Sequence, residues 1–250
     1  MPKARLSYPD AKSFYNILDA LAKLVDEVNM VITNEGVKAV ALDPAHVALI
    51  TIELPPESFI EYSIEEGDRV ELGFNVANTA KIIKRGKKGD KLDIEVTDEY
   101  VRWSIVGATI KRYKVLNLEV PVPEIPETSL EFKIRVAMIV DPFKNALKDA
   151  EAVGDTVVLE APDEDTLIIR GEGVAVAEAR IKRDTPAVVE FEVKEPGKSV
   201  YSIDYLKHVL SLTKVADTIV IEFSQDMPLR LQFQLPAGGR VTYLLAPKMT

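Results

Sequence analysis

Residues able to do chemistry are few in this sequence and poorly placed for it. The two histidines, His46 and His208, lie far apart in the chain, and neither has a second ligand at metal-binding spacing. The absence of cysteine excludes disulfides, thiolate zinc sites and a cysteine nucleophile. Gly171-Glu172-Gly173 begins like a dinucleotide-binding fingerprint but lacks its third glycine and the strand-helix-strand frame. Gly86-Lys87-Lys88-Gly89 lacks the Gly-Lys-Ser/Thr ending of a phosphate loop. Asp163-Glu164-Asp165 offers carboxylates, yet Leu167 and Ile168 stand where a calcium loop needs an oxygen ligand and a glycine, so an acidic hairpin turn is the better account. No Gly-x-Ser-x-Gly elbow occurs. We therefore expect no catalytic residue, no metal ligand and no cofactor.

Electrostatic chemistry is better provided. Residues 75–91 carry Lys81, Lys84, Arg85, Lys87, Lys88 and Lys91 against Asp90 alone, a local balance of +5 in a chain of net charge -9. Lys81, Lys84, Arg85 and Lys88 recur at three- and four-residue spacing, which predicts that they share one helical face. Lys144 and Lys148 lie on another predicted helix, and Lys207 and Lys214 on a third. A solvated helix face explains any one of these lysines alone. Basic helices in an otherwise acidic chain form a confined positive surface suited to a polyanion.

The elements that must hold these side chains are mostly short strands. At 250 residues, 47% hydrophobic and 28% charged, the chain can bury one large core or two ordinary ones. No apolar run reaches the roughly 20 residues of a membrane span, and no basic-then-apolar leader opens the chain, so a soluble, intracellular protein is expected. A strand is predicted at 3–7, and Asp10 can cap a helix running to about residue 23, on which Phe14, Ile17, Leu18, Leu21 and Leu24 recur at helical spacing. Strands at 27–33, 37–42, 46–54 and 68–74 follow, then a helix over 76–85 and strands at 92–96, 101–106 and 110–116. Near the end, 218–224 and 229–235 read as a hairpin, the second strand with Leu229, Leu231, Phe233 and Leu235 on one face. Gly238-Gly239 turns the chain into a last strand over 241–245.

The second half repeats the first. A shift of 127 places Phe74 on Tyr201, Val76 on Ile203, Ile82 on Val209, Lys87 on Lys214, Leu92 on Ile219 and Ile94 on Ile221; a shift of 129 places Phe14 on Phe143, Leu18 on Leu147 and Val28 on Val157. Two copies of one domain are expected, each β-α-β-β-β-β-α-β-β-β, over residues 1–116 and 131–250. Residues 117–130 join them. Pro121, Pro123 and Pro126 deny this connector the donors of a central strand, so it is expected to be extended and outside the sheets. Its apolar Leu118, Val120, Val122 and Ile125 suggest a segment laid across the domains rather than a solvated linker.

Several short motifs, in order, carry a family resemblance. They are Leu42-Asp43-Pro44-Ala45-His46-Val47-Ala48-Leu49, Glu124-Ile125-Pro126-Glu127, Tyr205-Leu206 with Leu212-Thr213-Lys214, Asp226-Met227-Pro228-Leu229, and Tyr243-Leu244-Leu245-Ala246-Pro247-Lys248. Together they resemble a DNA sliding clamp of the proliferating cell nuclear antigen family, of archaeal type, over essentially the whole chain. The resemblance implies an α+β fold of two duplicated clamp domains, with antiparallel sheets outside and two helices each inside, forming a ring of three subunits around duplex DNA. Such a protein is a DNA polymerase processivity factor that tethers replication and repair enzymes, and is not itself an enzyme.

What the resemblance implies for particular residues follows from matching positions. Lys81, Lys84, Lys148 and Lys214 match DNA-facing positions, to which charge adds Lys12, Arg85, Lys87 and Lys207; Tyr15 and Asn16 stand where other members carry lysines. Double-stranded DNA would be held without sequence preference. DNA polymerase, clamp loader, flap endonuclease and DNA ligase would bind through clamp-interaction peptides. The implied peptide pocket is formed by Leu42, His46, Val47, Leu49, Ile125, Pro228, Leu244, Ala246 and Pro247, with Pro123 where a larger apolar residue can stand. The implied subunit interface takes Ile110, Lys111, Arg112, Tyr113 and Lys114 from one strand and Val174, Val176, Glu178 and Arg180 from another. No membrane role is implied, and the location would be cytoplasmic and nucleoid-associated. The ring is a homotrimer or a heterotrimer, and one alternative is a subunit that works only within a heterotrimeric clamp. A β-rich enzyme, the alternative of another class, finds no catalytic constellation here.

Overall fold

The computed structural model describes residues 2–125 and 130–248; Pro126 and Glu127, which close the connector motif, lie outside the described residues. The described chain divides into two compact units, one within Met1–Pro44, Ile50–Glu124 and Leu235–Val241, the other within Ala45–Leu49, Ile125–Gln234 and Thr242–Thr250. Elements follow the same order in both halves of the sequence. The first half reads β1 (Ala4–Tyr8), α1 (Ala11–Leu21), β2 (Glu27–Thr33), β3 (Gly36–Leu42), β4 (Ala48–Leu54), β5 (Glu61–Ile64), β6 (Arg69–Asn75), α2 (Val76–Ile83), β7 (Lys91–Val96), β8 (Tyr100–Val106) and β9 (Ile110–Leu116). The second reads β10 (Ile134–Ile139), α3 (Val140–Val153), β11 (Gly154–Asp163), β12 (Thr166–Gly173), β13 (Val176–Lys182), β14 (Val188–Val193), β15 (Gly197–Ser202), α4 (Ile203–Leu206), β16 (Thr218–Phe223), β17 (Leu229–Gln234) and β18 (Arg240–Leu245).

The sheets repeat as well. In the first unit β5-β1-β7-β8-β9 form one sheet and β4-β3-β2-β6 are neighbours in another; β14-β10-β16-β17-β18 and β13-β12-β11-β15 repeat those orders. The registers correspond: Leu6 faces Ile94 where β1 meets β7, and Val136 faces Ile221 where β10 meets β16, both antiparallel. Phe14 and Leu18 of α1 are fully buried, and so are their repeat partners Phe143 and Leu147 of α3. Each such side chain contributes about 1.5–3 kcal/mol of burial free energy. Leu229, Leu231 and Phe233 of β17 have no exposed surface, as their alternation predicts.

Four expectations need correction. Five strands, not four, separate the helices of each half: β5 and β14, which contain no fully buried residue, add one strand to each. β4 begins at Ala48 rather than residue 46, since His46 adopts φ 58, a left-handed turn conformation that breaks a strand. α2 stops at Ile83 instead of 85, where the amide of Gly86 closes a tight turn onto the carbonyl of Ile83 at 2.9 Å. The last predicted helix is only the four residues of α4, followed by a 3-10 stretch over Lys207–Lys214. There the Thr213 hydroxyl donates to the carbonyl of Leu210 at 2.8 Å, a side-chain bond that competes with helical pairing.

The start of the connector is fixed to the first unit. Leu118 donates its amide to the carbonyl of Gly73 in β6 at 2.9 Å, and the Asn117 side chain accepts from the Gly73 amide while donating to the carbonyls of Glu71 and Thr97. Gly73 is required by this approach, because a Cβ there would lie 2.0 Å from the Leu118 carbonyl oxygen. Asn29 holds Val120 through its carbonyl at 2.9 Å. No helix among the described residues is long and apolar enough to cross a membrane.

Candidate nucleic-acid interface and partner surface

In the first unit α1 packs against α2, and the chain between α2 and β7 turns beside the start of α1. Asp10 caps α1 by accepting the Ser13 amide at 2.6 Å, and its other carboxylate oxygen accepts the Gly89 amide at 2.9 Å. Asp90 answers from the turn: its carbonyl takes the amide of Ala11 at 2.8 Å and its carboxylate the amide of Lys87 at 2.8 Å. Gly89, at φ 88, supplies the left-handed residue this turn needs. The turn's carboxylates are thus engaged by backbone amides while Lys81, Lys84, Arg85, Lys87 and Lys88 stay exposed, as does Lys12. Among the described residues none of these six cations has an ion-pair partner.

The shared helical face is therefore smaller than its spacing predicts. Lys81 is on α2 and Lys84 is its C-cap, but Arg85, Lys87 and Lys88 lie past the helix end. Lys81 and Lys84 sit where the helix dipole favours cations. The Lys84 ammonium stands 5.8 Å from the centre of the Tyr15 ring, so the tyrosine on α1 seats a cation that α2 supplies.

The second unit is less basic. Lys148 on α3 and Lys214 at the end of the 3-10 stretch are exposed, with no ion-pair partner among the described residues. Lys144 is tied to Asp141 at 2.9 Å. Lys207 is tied to Asp204 at 2.9 Å and to Glu151 at 3.9 Å, and the Asp204 hydrogen bond and charge raise its pKa. Lys207 keeps its charge but shares it with two carboxylates, so it offers less to an anion than Lys148 or Lys214.

The residues proposed for partner binding are neither core nor fully exposed. In the second unit Val47, Leu49, Pro228, Leu244, Ala246 and Pro247 are all half-buried, and His46 is exposed on its turn. The segment after β18 is pinned on both sides of Pro247: Ala246 donates its amide to Val47 at 2.9 Å and Lys248 its amide to Val200 at 2.7 Å. The turn before β17 is held by Met227, whose carbonyl accepts the hydroxyls of Tyr201 at 2.8 Å and Ser199 at 3.1 Å. Ile125 is 38% exposed. Leu42 and Pro123 belong to the first unit and are half-buried there.

The residues proposed for the subunit interface lie on two strands that end their sheets, β9 and β13. Ile110, Val174 and Val176 are exposed apolar residues, Val174 to 98%. Sequence reasoning missed the anchoring roles of Asp10 and Asp90. Asp10 was legible only as a helix cap, and the signal for its second role was the glycine beside Asp90 in a lysine-rich turn. Among the described residues no group of three or more His, Asp or Glu is placed to hold a metal ion.

Duplicated α+β units, with the same two sheet orders and two helices in each half, define a clamp-type protein. Residues 1–126 match the family model described as proliferating cell nuclear antigen, N-terminal domain, and residues 124–248 the model of its C-terminal domain. The chain belongs to the proliferating cell nuclear antigen family, and its relatives are archaeal sliding clamps. It is 42% identical to DNA polymerase sliding clamp 1 of Aeropyrum pernix, over 95% of this chain and 97% of that one. It is 39% identical to DNA polymerase sliding clamp 1 of Sulfolobus acidocaldarius, over 98% and 100%. Among solved structures, proliferating cell nuclear antigen of Thermococcus kodakaraensis superposes with a TM-score of 0.89 at 26% identity, over 98% of this chain and 100% of that one.

Proposed function

We infer that this chain acts as a DNA polymerase sliding clamp, a processivity factor rather than an enzyme, and that it does so as a three-subunit ring around duplex DNA. The observation that carries this reading is the exposed, carboxylate-free set Lys12, Lys81, Lys84, Arg85, Lys87, Lys148 and Lys214 in a chain of net charge -9. Phosphates attract such cations without any base being read. Lysine, a flexible point charge, holds them without locking into one geometry, so its phosphate partners exchange freely as the ring slides. Retention comes from encirclement, not from tight binding.

Ring closure is supported by the repeat. In the first unit Arg240 of β18 is bonded to Glu53 of β4 at 2.6 Å, and in the second the chain beyond β18 is bonded to Val47, just ahead of β4. Among the described residues the repeat counterparts, β9 for β18 and β13 for β4, have no such neighbour. Pairing β9 of one copy with β13 of the next satisfies both edges and continues around a closed ring. Polymerase and clamp loader, with flap endonuclease and ligase as further partners, dock through peptides at the half-buried apolar positions Val47, Leu49, Pro228, Leu244, Ala246 and Pro247 of the second unit; residues 117–130 are the connector of domains 1–116 and 131–250. The place of action is the nucleoid in the cytoplasm.

A topological clamp loaded on closed circular duplex stays bound at high salt and slides off when the circle is cut once. Equal retention on circular and linear DNA overturns the reading. A heteromeric ring is a second possibility that one observation favours: the chain is 42% identical to sliding clamp 1 of A. pernix but 28% identical to sliding clamp 3 of the same organism. It groups with one of several clamp chains.

A further inference from the structure

A recess in the first unit is open where its repeat in the second is filled. β6 ends its sheet, and Gly73 turns its amide and carbonyl away from β2, to Asn117 and Leu118. Glu71, two residues earlier on the strand, turns its backbone the same way. Its carbonyl accepts the Asn117 side chain at 3.0 Å, but its amide meets no acceptor among the described residues. Glu71 lines a cavity of about 310 Å³ with Lys3, Arg69, Asp98, Asn117 and Glu119. Both cations there are already paired, Lys3 with Asp98 at 2.6 Å and Arg69 with Glu71 at 3.0 Å. Glu119 is exposed and has no ion-pair partner among the described residues. None of these residues belongs to the partner surface described above.

The second unit shows what such an edge accepts. The shift of 127 places Gly73 on Val200 and Glu71 on Lys198, both in β15, which also ends its sheet. The Val200 carbonyl takes the amide of Lys248 as the Gly73 carbonyl takes that of Leu118. The Lys198 amide, however, donates to the side-chain carbonyl of Gln225 at 2.9 Å, and the Lys198 carbonyl accepts the amide of Asp226 at 3.1 Å. Gln225 and Asp226 belong to a turn, residues 224–228, that is two residues longer than its counterpart, residues 97–99. At the place of Gln225 the shorter turn carries Asp98, an acid engaged by Lys3. The Glu71 amide is thus left without the carboxamide that its repeat possesses.

We propose that this recess binds a polypeptide segment of a partner protein in which a glutamine stands next to a lysine or arginine. The glutamine side-chain carbonyl accepts the Glu71 amide, as Gln225 accepts that of Lys198, and the basic side chain meets Glu119. An open strand-edge donor is a ready template for a further chain. A carboxylate in the glutamine's place is disfavoured, because the recess already holds Glu71, Asp98 and Glu119 against Lys3 and Arg69.

The test titrates acetyl-Gly-Gln-Lys-Gly-amide into the isotope-labelled full chain and follows the backbone amide of Glu71 by NMR. A shift that saturates below about 10 mM peptide is expected, with binding at least about threefold weaker when glutamate replaces the peptide's glutamine. Replacing residues 97–99 with Ser-Gln-Asp-Met-Pro, the turn of the second unit, fills the recess from within and is expected to abolish the shift. Glu119→Gln, at an exposed position, is expected to weaken binding by about two- to fivefold at low salt. No saturable shift at Glu71, equal binding of the glutamate peptide, or binding that survives the grafted turn overturns the proposal, and an unchanged affinity in Glu119→Gln overturns the basic neighbour. If the grafted turn unfolds the chain, the glutamate peptide and Glu119→Gln decide by themselves.

Discussion

The carboxylate of Asp10 accepts the amide of Gly89 at 2.9 Å, joining the start of the first helix to the lysine-rich turn 79 residues later. Burial alone would raise the pKa of Asp10, but the amides of Gly89 and Ser13 outweigh it and hold the carboxyl below the usual range. One acid thereby caps a helix and fixes a turn whose cations, among the described residues, it does not pair with.

Asp10→Ala is expected to cost about 1–2 kcal/mol through loss of the cap and to release the turn. Amide exchange at Gly89 should accelerate, and DNA association should weaken although no cation has been removed. Asp10→Asn, which still caps, should restore most of the stability. If Asp10→Ala leaves Gly89 exchange unchanged, the carboxylate does not hold the turn.

Replacing Lys81, Lys84 and Lys214 together with Ala should lower the salt slope of DNA association by about 0.9 for each phosphate that is no longer neutralised. Folding stability should change by no more than about 0–1 kcal/mol per residue, since exposed charges contribute little. Lys207→Ala is the internal control. Its ammonium is shared with Asp204 and Glu151, so its removal should change the slope less than removal of Lys214. Equal effects from the two would refute this ranking.

Much of this was readable from residue order, and the failures share a cause. The β17 alternation and the matches Phe14 to Phe143 and Leu92 to Ile219 are burial patterns, and burial writes itself into sequence period; all four matched residues are buried. β5 and β14 do alternate, as Tyr62 and Ile64 with Glu61 and Ser63, and Val189, Phe191 and Val193 with Glu190 and Glu192, but over four or five residues and without a buried position the pattern is too brief to stand out. Lys88 was assigned to the α2 face because spacing cannot register that Gly86 ends the helix and Gly89 turns left-handed. Lys207 and Lys214 looked equivalent as lysines on one predicted helix. What separates them is Asp204, three residues before Lys207 in the sequence, and, more distantly, Glu151, which the fold brings from α3.

The acid limit of the second unit should follow Glu222. Burial pushes this carboxyl up, but hydrogen bonds and charge from Arg230 and then Arg135 hold it below the ordinary value of 4.5. A carboxyl with a depressed folded pKa adds stability that is complete above its unfolded pKa and drains away as pH falls through the folded one. Stability from this group should therefore be flat above about pH 4.5 and decline below it. Glu222→Gln should cost about 1–3 kcal/mol at neutral pH and flatten that decline. Thermal melts between pH 3 and 7 measure both, and an unaltered acid slope would show that other carboxylates govern it.

The peptide surface gives the sharpest separation of roles. An aromatic side chain entering an apolar pocket removes about 150–250 Å² from water, or about 4–6 kcal/mol at about 25 cal/mol per Å². That is a large part of the roughly 8 kcal/mol that micromolar binding represents, and ordering costs must be met from the rest of the peptide. Pro247 is held in place by Ala246 and Lys248 on either side, and a proline has no amide of its own to lose, so Pro247→Asp changes the surface with little change to the backbone. Ile125, 38% exposed, tolerates a charge for the same reason of access. The double variant Ile125→Asp with Pro247→Asp should keep the assembly state and DNA association of the wild type while binding to a clamp-interaction peptide falls at least about 100-fold, because a buried aromatic would then face an unpaired carboxylate. Calorimetry with the peptide, beside a sizing run and a DNA-association assay, checks all three. Undiminished peptide binding by an intact assembly would place the partner site elsewhere.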